Sequence, residues 1–312
     1  MFGSHLSVAG GMHNAVDAAV ELKLDCVQVF TKNQQQWKVK PLADDAIAAW
    51  RESLERAGWW TDDPLSPPHR VVSHASYLIN LASPDDELWK KSIDLMQIEI
   101  ERCHELSIPL LVHHPGAFTT SDRPSGLKRI AKAYKQLFKR TKGARVISLL
   151  EDTVGSGSNL GREFDELGEL RSMIIEQTGE PGRVGFCIDT CHAHAGGYDL
   201  SSRSSGEEAL DHLDATCGMA NVKALHLNDS LKAVGSRKDR HAHIGEGTLC
   251  RKAGAEDGSK VPLVRSGFAA VVNRREFRAI PKIMETPKED NDRGVPMDTI
   301  NARRLRRLVE AD

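Results

Sequence analysis

VVSHASYLIN, residues 71–80, opens on an apolar strand-like run and closes that run on a histidine, His74. LLVHHPG (110–116) repeats the arrangement with His114, VISLLED (146–152) with Glu151, and VGFCIDTCH (184–192) with Asp189 and then His192. Three more stretches read the same way: ALHLND (224–229) with His226, KDRHAH (238–243) with Asp239 and His241, and KIMET (282–286) with Glu285. Short continuous apolar runs are what strands look like when both faces are buried. A parallel β/α barrel gathers the C-terminal ends of all its strands around one mouth, so residues from 74 to 285 converge there. His, Asp and Glu in such a cluster are the material of a multinuclear metal site.

The rest of the chain fits that architecture. Strands are expected at Phe2–Leu6, Cys26–Phe30, Val71–His74, Leu110–His113, Arg145–Leu150, Arg183–Ile188, Val222–Leu227 and Ile280–Met284. Between them lie amphipathic helical stretches such as Asp44–Ala57, Asp85–Leu106, Gly126–Arg140, Glu163–Gln177, Glu207–Met219 and Val264–Val272, with Asp298–Glu310 last. Ser83-Pro84-Asp85 and the Ser204-Ser205 pair read as helix N-caps. Eight alternating units without a long linker predict one α/β domain, a (β/α)8 TIM barrel over residues 1–312 with a metal site at its C-terminal mouth. Residues 251–262, rich in glycine and charge, read as a surface insertion. Four arginines in the last helix (303, 304, 306 and 307) read as a solvated face that offsets the helix dipole.

Composition narrows the class. With 40% hydrophobic and 28% charged residues the chain is an ordinary globular one. No apolar run approaches the roughly 20 residues that span a bilayer, and MFGSHLSVAGG lacks the pattern of a secretory signal. A cytoplasmic, monomeric protein without a membrane partner is expected. The six cysteines form no C-x-x-C pair, and Cys187 and Cys191, which flank Asp189, read as thiols packed in a reduced interior. The formal charge of −2 gives no sign of a nucleic-acid binder, yet three divalent cations would turn it into +4 and concentrate the positive charge in the mouth.

Nine candidate ligands are too many for one zinc ion, which takes about four. They suit two or three ions with a bridging carboxylate. The imidazoles favour zinc, while four carboxylates leave manganese or iron open. Asp-x-His on an extended segment turns both groups to one side, so the Asp189/His192 and Asp239/His241 pairs are each expected to reach a common ion. His113 should point away from His114. His194 and His243 are supporting residues at best, and His69 and His104 read as surface residues. Two ions sharing a water make a nucleophile at neutral pH, and a third can neutralise the oxygen leaving phosphorus, which favours phosphoester hydrolysis.

Across these motifs the chain closely resembles the endonuclease IV family of apurinic/apyrimidinic endonucleases. The matching stretches are SHLSVAGG (4–11), FTKNQQQW (30–37), HASYLINL (74–81), HHPG (113–116), GSGSNLG (155–161), CIDTCHAHAGGYDL (187–200), HLND (226–229), GSRKDRHAHIGEG (235–247) and ET (285–286). The resemblance implies a trizinc barrel that cuts double-stranded DNA 5′ to an abasic site, leaving a 3′-hydroxyl and a 5′-deoxyribose phosphate, and that trims blocked 3′ ends. It implies that His74, His114 and Glu151 hold one zinc, that Glu151 bridges to a second held by Asp189, His226 and Glu285, and that His192, Asp239 and His241 hold a third. Glu151 and Glu285 would be the catalytic carboxylates, and Tyr77 and Leu78 would enter the minor groove. Two departures stand out. Gln35 occupies a place where some relatives carry an intercalating arginine, which lowers the expected salt dependence. Ala75 follows His74 where an acidic residue is common, so a supporting hydrogen bond is expected to be missing. The competing expectations are a sugar isomerase of the xylose-isomerase-like barrels, with one or two ions, and a silent abasic-site binder.

Overall fold

Eight parallel strands close into a barrel in the computed structural model, which describes residues 1–251 and 259–310. They are β1 (Phe2–His5), β2 (Cys26–Val29), β3 (Val71–His74), β4 (Leu110–His113), β5 (Ile147–Glu151), β6 (Val184–Asp189), β7 (Val222–His226) and, last in the chain, β10 (Lys282–Met284). Neighbours in the barrel follow chain order, and β10 closes it against β1 with Ser4 opposite Met284. This is the TIM-barrel fold that the alternation predicts. The extra strands β8 (Asp229–Ser230) and β9 (His241–Ala242) form an antiparallel ribbon outside the barrel, with Ser230 opposite His241.

The pleat explains the placement of the site. Cys26, Val72, Leu110, Val112, Leu149, Cys187, Ala224 and Ile283 form a separate buried cluster that plugs the lumen. Two residues further along their strands, on the same face, stand Gln28, His74, His114, Glu151, Asp189, His226 and Glu285. An apolar plug thus carries a polar layer. Toward the opposite end Gly3 lets β1 and β2 approach, since a Cβ there would sit 2.2 Å from the Cys26 carbonyl oxygen.

The helices are α1 (His13–Glu21), α2 (Asp44–Arg56), α3 (Asp86–Glu105), α4 (Arg123–Arg140), α5 (Phe164–Thr178), α6 (Thr190–Gly196), α7 (Arg203–Cys217), α8 (Gly267–Asn273) and α9 (Met297–Arg306). Their apolar stripes pack on the outer strand faces, where Trp50, Ile93, Met96, Tyr134 and Phe164 are almost wholly buried. Asp85 caps α3 by accepting from the Leu88 N–H at 2.7 Å. The cap of α7 is Ser202, not the Ser204-Ser205 pair: Ser205 sits at the third helical position and closes a capping box with Ser202. α1 and the seven-residue α6 were not among the expected helices. In α9, Arg304 pairs with Glu246 and Arg306 with Asp25, so the basic face ties the helix down as well as meeting solvent. Residues 252–258 of the expected insertion lie outside the described residues; its ends meet in an antiparallel bridge between Arg251 and Lys260. Among the described residues no helix is long and apolar enough to cross a membrane.

Candidate metal centre

Glu151, at the end of β5, lies fully buried at the middle of the polar layer. One of its oxygens faces His74 Nε2 at 3.1 Å and His114 Nε2 at 3.2 Å. The other faces His226 Nδ1 at 2.8 Å. His226 Nδ1 also lies 3.3 Å from Glu285 Oε2 and 3.8 Å from Asp189 Oδ2. A third group stands beside these, with His192 Nε2 and His241 Nε2 each 3.2 Å from a different oxygen of Asp239. Within each of the three sets, His74–His114–Glu151, Glu151–Asp189–His226–Glu285 and His192–Asp239–His241, the ligand-type atoms all lie within 4.8 Å of one another. All nine residues singled out in the sequence are therefore brought together.

Hydrogen bonds aim the imidazoles. His74 donates from Nδ1 to the Ala75 carbonyl (2.7 Å), His192 from Nδ1 to the Asp152 carbonyl (3.0 Å), and His241 from Nδ1 to the Glu285 carbonyl (3.1 Å). His226 donates from Nε2 to Gln28 Oε1 (2.8 Å). An oxygen that can only accept fixes the proton on that nitrogen and turns the other, with its lone pair, toward the carboxylates. The acceptor for His74 is the Ala75 backbone carbonyl, so this bond does not depend on the side chain at position 75.

Four carboxylates this close need cations, and imidazolium protons or divalent ions meet the need. Burial alone would raise the Glu151 carboxyl, but His226 and His114 hold it well below the ordinary range. Burial likewise disfavours charge on His192 and His226, yet both are pushed well above the usual imidazole value, His192 by Asp189, Asp239 and Glu151 and His226 by Cys187 together with Glu285 and Glu151. His241 is pushed up to about 9 against its burial, chiefly by Asp189 and Asp239. His241 Nε2 is buried without a hydrogen bond although Asp239 is near. An orphaned, pre-aimed nitrogen beside carboxylate oxygens is what a cation site requires. Mixed imidazole and carboxylate donors suit zinc, manganese or iron(II).

Three details differ from the expectations. KDRHAH ends no barrel strand; His241 reaches the centre on β9 of the ribbon and Asp239 on the loop just before it. Asp189 and His192 do not share an extended segment, because Asp189 caps α6 and His192 lies in its first turn. His69 is buried rather than at the surface, and burial pushes its pKa down, whereas His104 is exposed as expected. His113 points outward and meets the Tyr134 hydroxyl at 2.6 Å. His194 accepts from the Leu200 N–H, and His243 meets Glu289 and Asn301. The six cysteines are free and buried. Cys191 Sγ lies within reach of Asp189 and His241, but burial pushes its thiol up to about 12, which favours packing over ligation.

Sequence reasoning missed Gln28 and Asn228. Besides accepting from His226, the buried Gln28 amide donates to Glu285 Oε1 at 2.7 Å and to His5 Nδ1 at 2.9 Å. Asn228 donates to Asp189 Oδ2 (2.8 Å) and accepts from the Glu285 N–H (2.7 Å). The signal for Gln28 was a lone amide inside the apolar run VQVF.

Beside the cluster opens a cavity of about 740 Å3, bounded by the loops after β1, β2 and β10 and by Tyr77 and His241. Tyr77 is 61% exposed, with its ring 5.1 Å from His74 and 6.0 Å from Phe30. Leu78 is half-buried and packs on the core, and Gln35 is exposed at the tip of the β2 loop.

A model of the xylose isomerase-like TIM barrel matches residues 16–254. A probable endonuclease 4 from Chloroflexus aurantiacus is 40% identical over 309 residues, covering 99% of this chain and 98% of its own. Another, from Citrifermentans bemidjiense, is 40% identical over 310 residues and 99% of each chain. The chain belongs to the endonuclease IV family. The crystal structure of endonuclease IV from Thermus thermophilus superposes with a TM-score of 0.77 at 30% identity over 98% of each chain. A D-tagatose 3-epimerase-like protein superposes at 0.66 with 15% identity, covering 98% of this chain and 96% of its own. That second likeness shows a barrel shared with sugar epimerases and nothing of their chemistry.

Proposed function

We propose that this endonuclease IV family member is a DNA-repair enzyme that hydrolyses the phosphodiester 5′ to an abasic site in double-stranded DNA. The products would be a 3′-hydroxyl and a 5′-deoxyribose phosphate. The observation that carries this reading is the division of Glu151 between two donor groups, with a third donor group directly beside them. His74, His114 and Glu151 would hold one zinc ion, Glu151, Asp189, His226 and Glu285 a second, and His192, Asp239 and His241 a third. Manganese or iron in one or more of these places suits the same donors. Bound there, the ions would supply a nucleophilic water near neutral pH and neutralise charge on the leaving oxygen.

What the chain itself contributes is orientation. Ala75, Asp152 and Glu285 carbonyls and the Gln28 amide hold four imidazoles in place, so little rearrangement is left when charge develops at phosphorus. Glu151 and Glu285 are kept ionised by the histidines beside them, as ligands must be. The cavity beside the cluster has room for an extruded sugar phosphate. Extrusion costs less at an abasic site, where one strand has lost its stacking. Tyr77, Leu78 and Gln35, on adjoining loops, would enter the gap. A phosphoester at a 3′ end could occupy the same centre, which supports end trimming as a second activity. A sugar isomerase would have no use for the third donor group.

The test is a duplex with one abasic site, incubated with the zinc-loaded protein and its product ends mapped. A single cut giving the two ends named above is expected. No cut, or cleavage on the 3′ side by elimination, would overturn the reading.

A further inference from the structure

One side of α3 grips both loops that carry the proposed DNA contacts. Glu99 is fully buried there, and its Oε2 accepts from the Thr31 hydroxyl at 2.8 Å. Its Oε1 accepts from the Ser76 N–H at 3.1 Å and lies 3.9 Å from Lys32 Nζ. Arg102, one helical turn on, donates from Nε to the Thr31 carbonyl at 3.0 Å, again to that carbonyl from Nη2, and from Nη1 to the Lys40 carbonyl at 3.0 Å. One guanidinium therefore closes the loop from Thr31 to Lys40 at both ends. Across the gap between loops the Ser76 hydroxyl donates to the Gln34 carbonyl at 2.9 Å. Gln35 follows Gln34, and Tyr77 and Leu78 follow Ser76.

We propose that Glu99 and Arg102 are positioning residues that set the spacing of the Gln35 loop and the Tyr77–Leu78 loop, and so govern discrimination of abasic from intact DNA rather than the hydrolytic step. This rests on the reading that those loops contact DNA. The physical case is economy of anchoring. A carboxylate buried among a hydroxyl, an amide N–H and an ammonium group is costly to leave half satisfied. It therefore holds its partners in one arrangement, with Tyr77 next to Ser76 and Gln35 three residues past Lys32. An exposed loop without such anchors would have to order itself on binding and lose backbone entropy in doing so. None of these atoms belongs to the proposed metal ligands, so loosening them should leave the centre loaded.

The experiment compares the zinc-loaded parent with Glu99→Leu, Arg102→Lys and Thr31→Val, and with Thr31→Ser as the conservative rescue. Arg102→Lys keeps the charge but cannot span two carbonyls, and Thr31→Val removes one arm alone should Glu99→Leu fail to fold. For each, zinc content, single-turnover incision at saturating abasic duplex, and Kd for abasic and intact duplex are measured. The expected result is unchanged zinc content, incision within about threefold of the parent, and abasic binding weakened at least tenfold with intact binding nearly unmoved. Thr31→Ser should restore the parent's preference. Equal weakening on both duplexes, loss of zinc, or incision falling as far as binding would overturn the proposal. A parent that itself shows no preference for abasic DNA would instead overturn the functional reading on which it rests.

Discussion

His226 and Tyr77 both pack beside His74, with ring centroids 6.1 Å and 5.1 Å away, yet they are held by opposite means. The His226 ring is fully buried at a strand end, with one nitrogen on Gln28 and the other facing Glu151 and Glu285. The Tyr77 ring is largely in solvent, on a loop whose anchoring lies one residue back, at Ser76. The floor of the mouth is fixed by the pleat of the barrel. Its rim is fixed by hydrogen bonds from loops to a helix. On the proposed function, chemistry that needs charges in fixed register would sit on the first, and recognition of a deformable partner on the second.

Substitutions at the floor should therefore cost rate and metal, and those at the rim should cost selectivity. The largest effect is expected for Glu151→Gln, since a neutral amide bridges two cations poorly. Incision should fall on the order of 10^3-fold or more, with zinc lost and the barrel still folded, as read by incision rate, metal analysis and circular dichroism together. Activity within tenfold of the parent would remove Glu151 from the bridge. Asp239→Ala or His241→Ala should lower kcat by roughly 10^2–10^3-fold while the Kd for abasic duplex moves much less, because the third donor group is assigned to the leaving oxygen, a transition-state interaction. Equal losses in rate and binding would make that pair a DNA clamp and blur the line between floor and rim.

Gln28→Leu tests the floor without touching a ligand. His226 and Glu285 would each lose the partner that orients them, and zinc affinity should drop about 10–100-fold. A chelator competition titration reads this directly, and unchanged affinity would show that the pleat alone suffices. The smallest effect belongs to the rim. Gln35→Arg should strengthen binding to abasic duplex and steepen the log K against log salt slope by roughly 0.9 for one added phosphate contact. Titrations at several salt concentrations, on abasic and intact duplexes, distinguish a side chain in the gap from general charge attraction. An unchanged slope would place Gln35 off the DNA.

The same division explains what could be read from the sequence. Strand ends announced themselves because each apolar run had to stop on a polar residue two positions past a lumen plug, as at Val72–His74 and Leu149–Glu151. Strand bounds followed to within a residue or two. Asp239 and His241 were legible as a pair but not as a ribbon, since two-residue strands leave no hydrophobic pattern. Gln28 went unseen because one amide in VQVF resembles a tolerated core polar group until its partners, far away in sequence, are known. Glu99 was hidden more deeply. In a helix rich in Glu, Asp and Lys, a buried carboxylate has the same appearance as a solvent-facing one. The cap at Ser202 was misassigned because four serines within five residues offer nearly equivalent choices.

The central claim is that Glu151 joins two cation sites and that a third stands beside them. Stepwise zinc titration of the metal-stripped protein, with bound zinc counted and abasic-site incision assayed at each step, tests it most directly. Saturation at three ions per chain is expected, with full incision reached only as the third binds. Saturation at one or two ions with full incision would contradict the account.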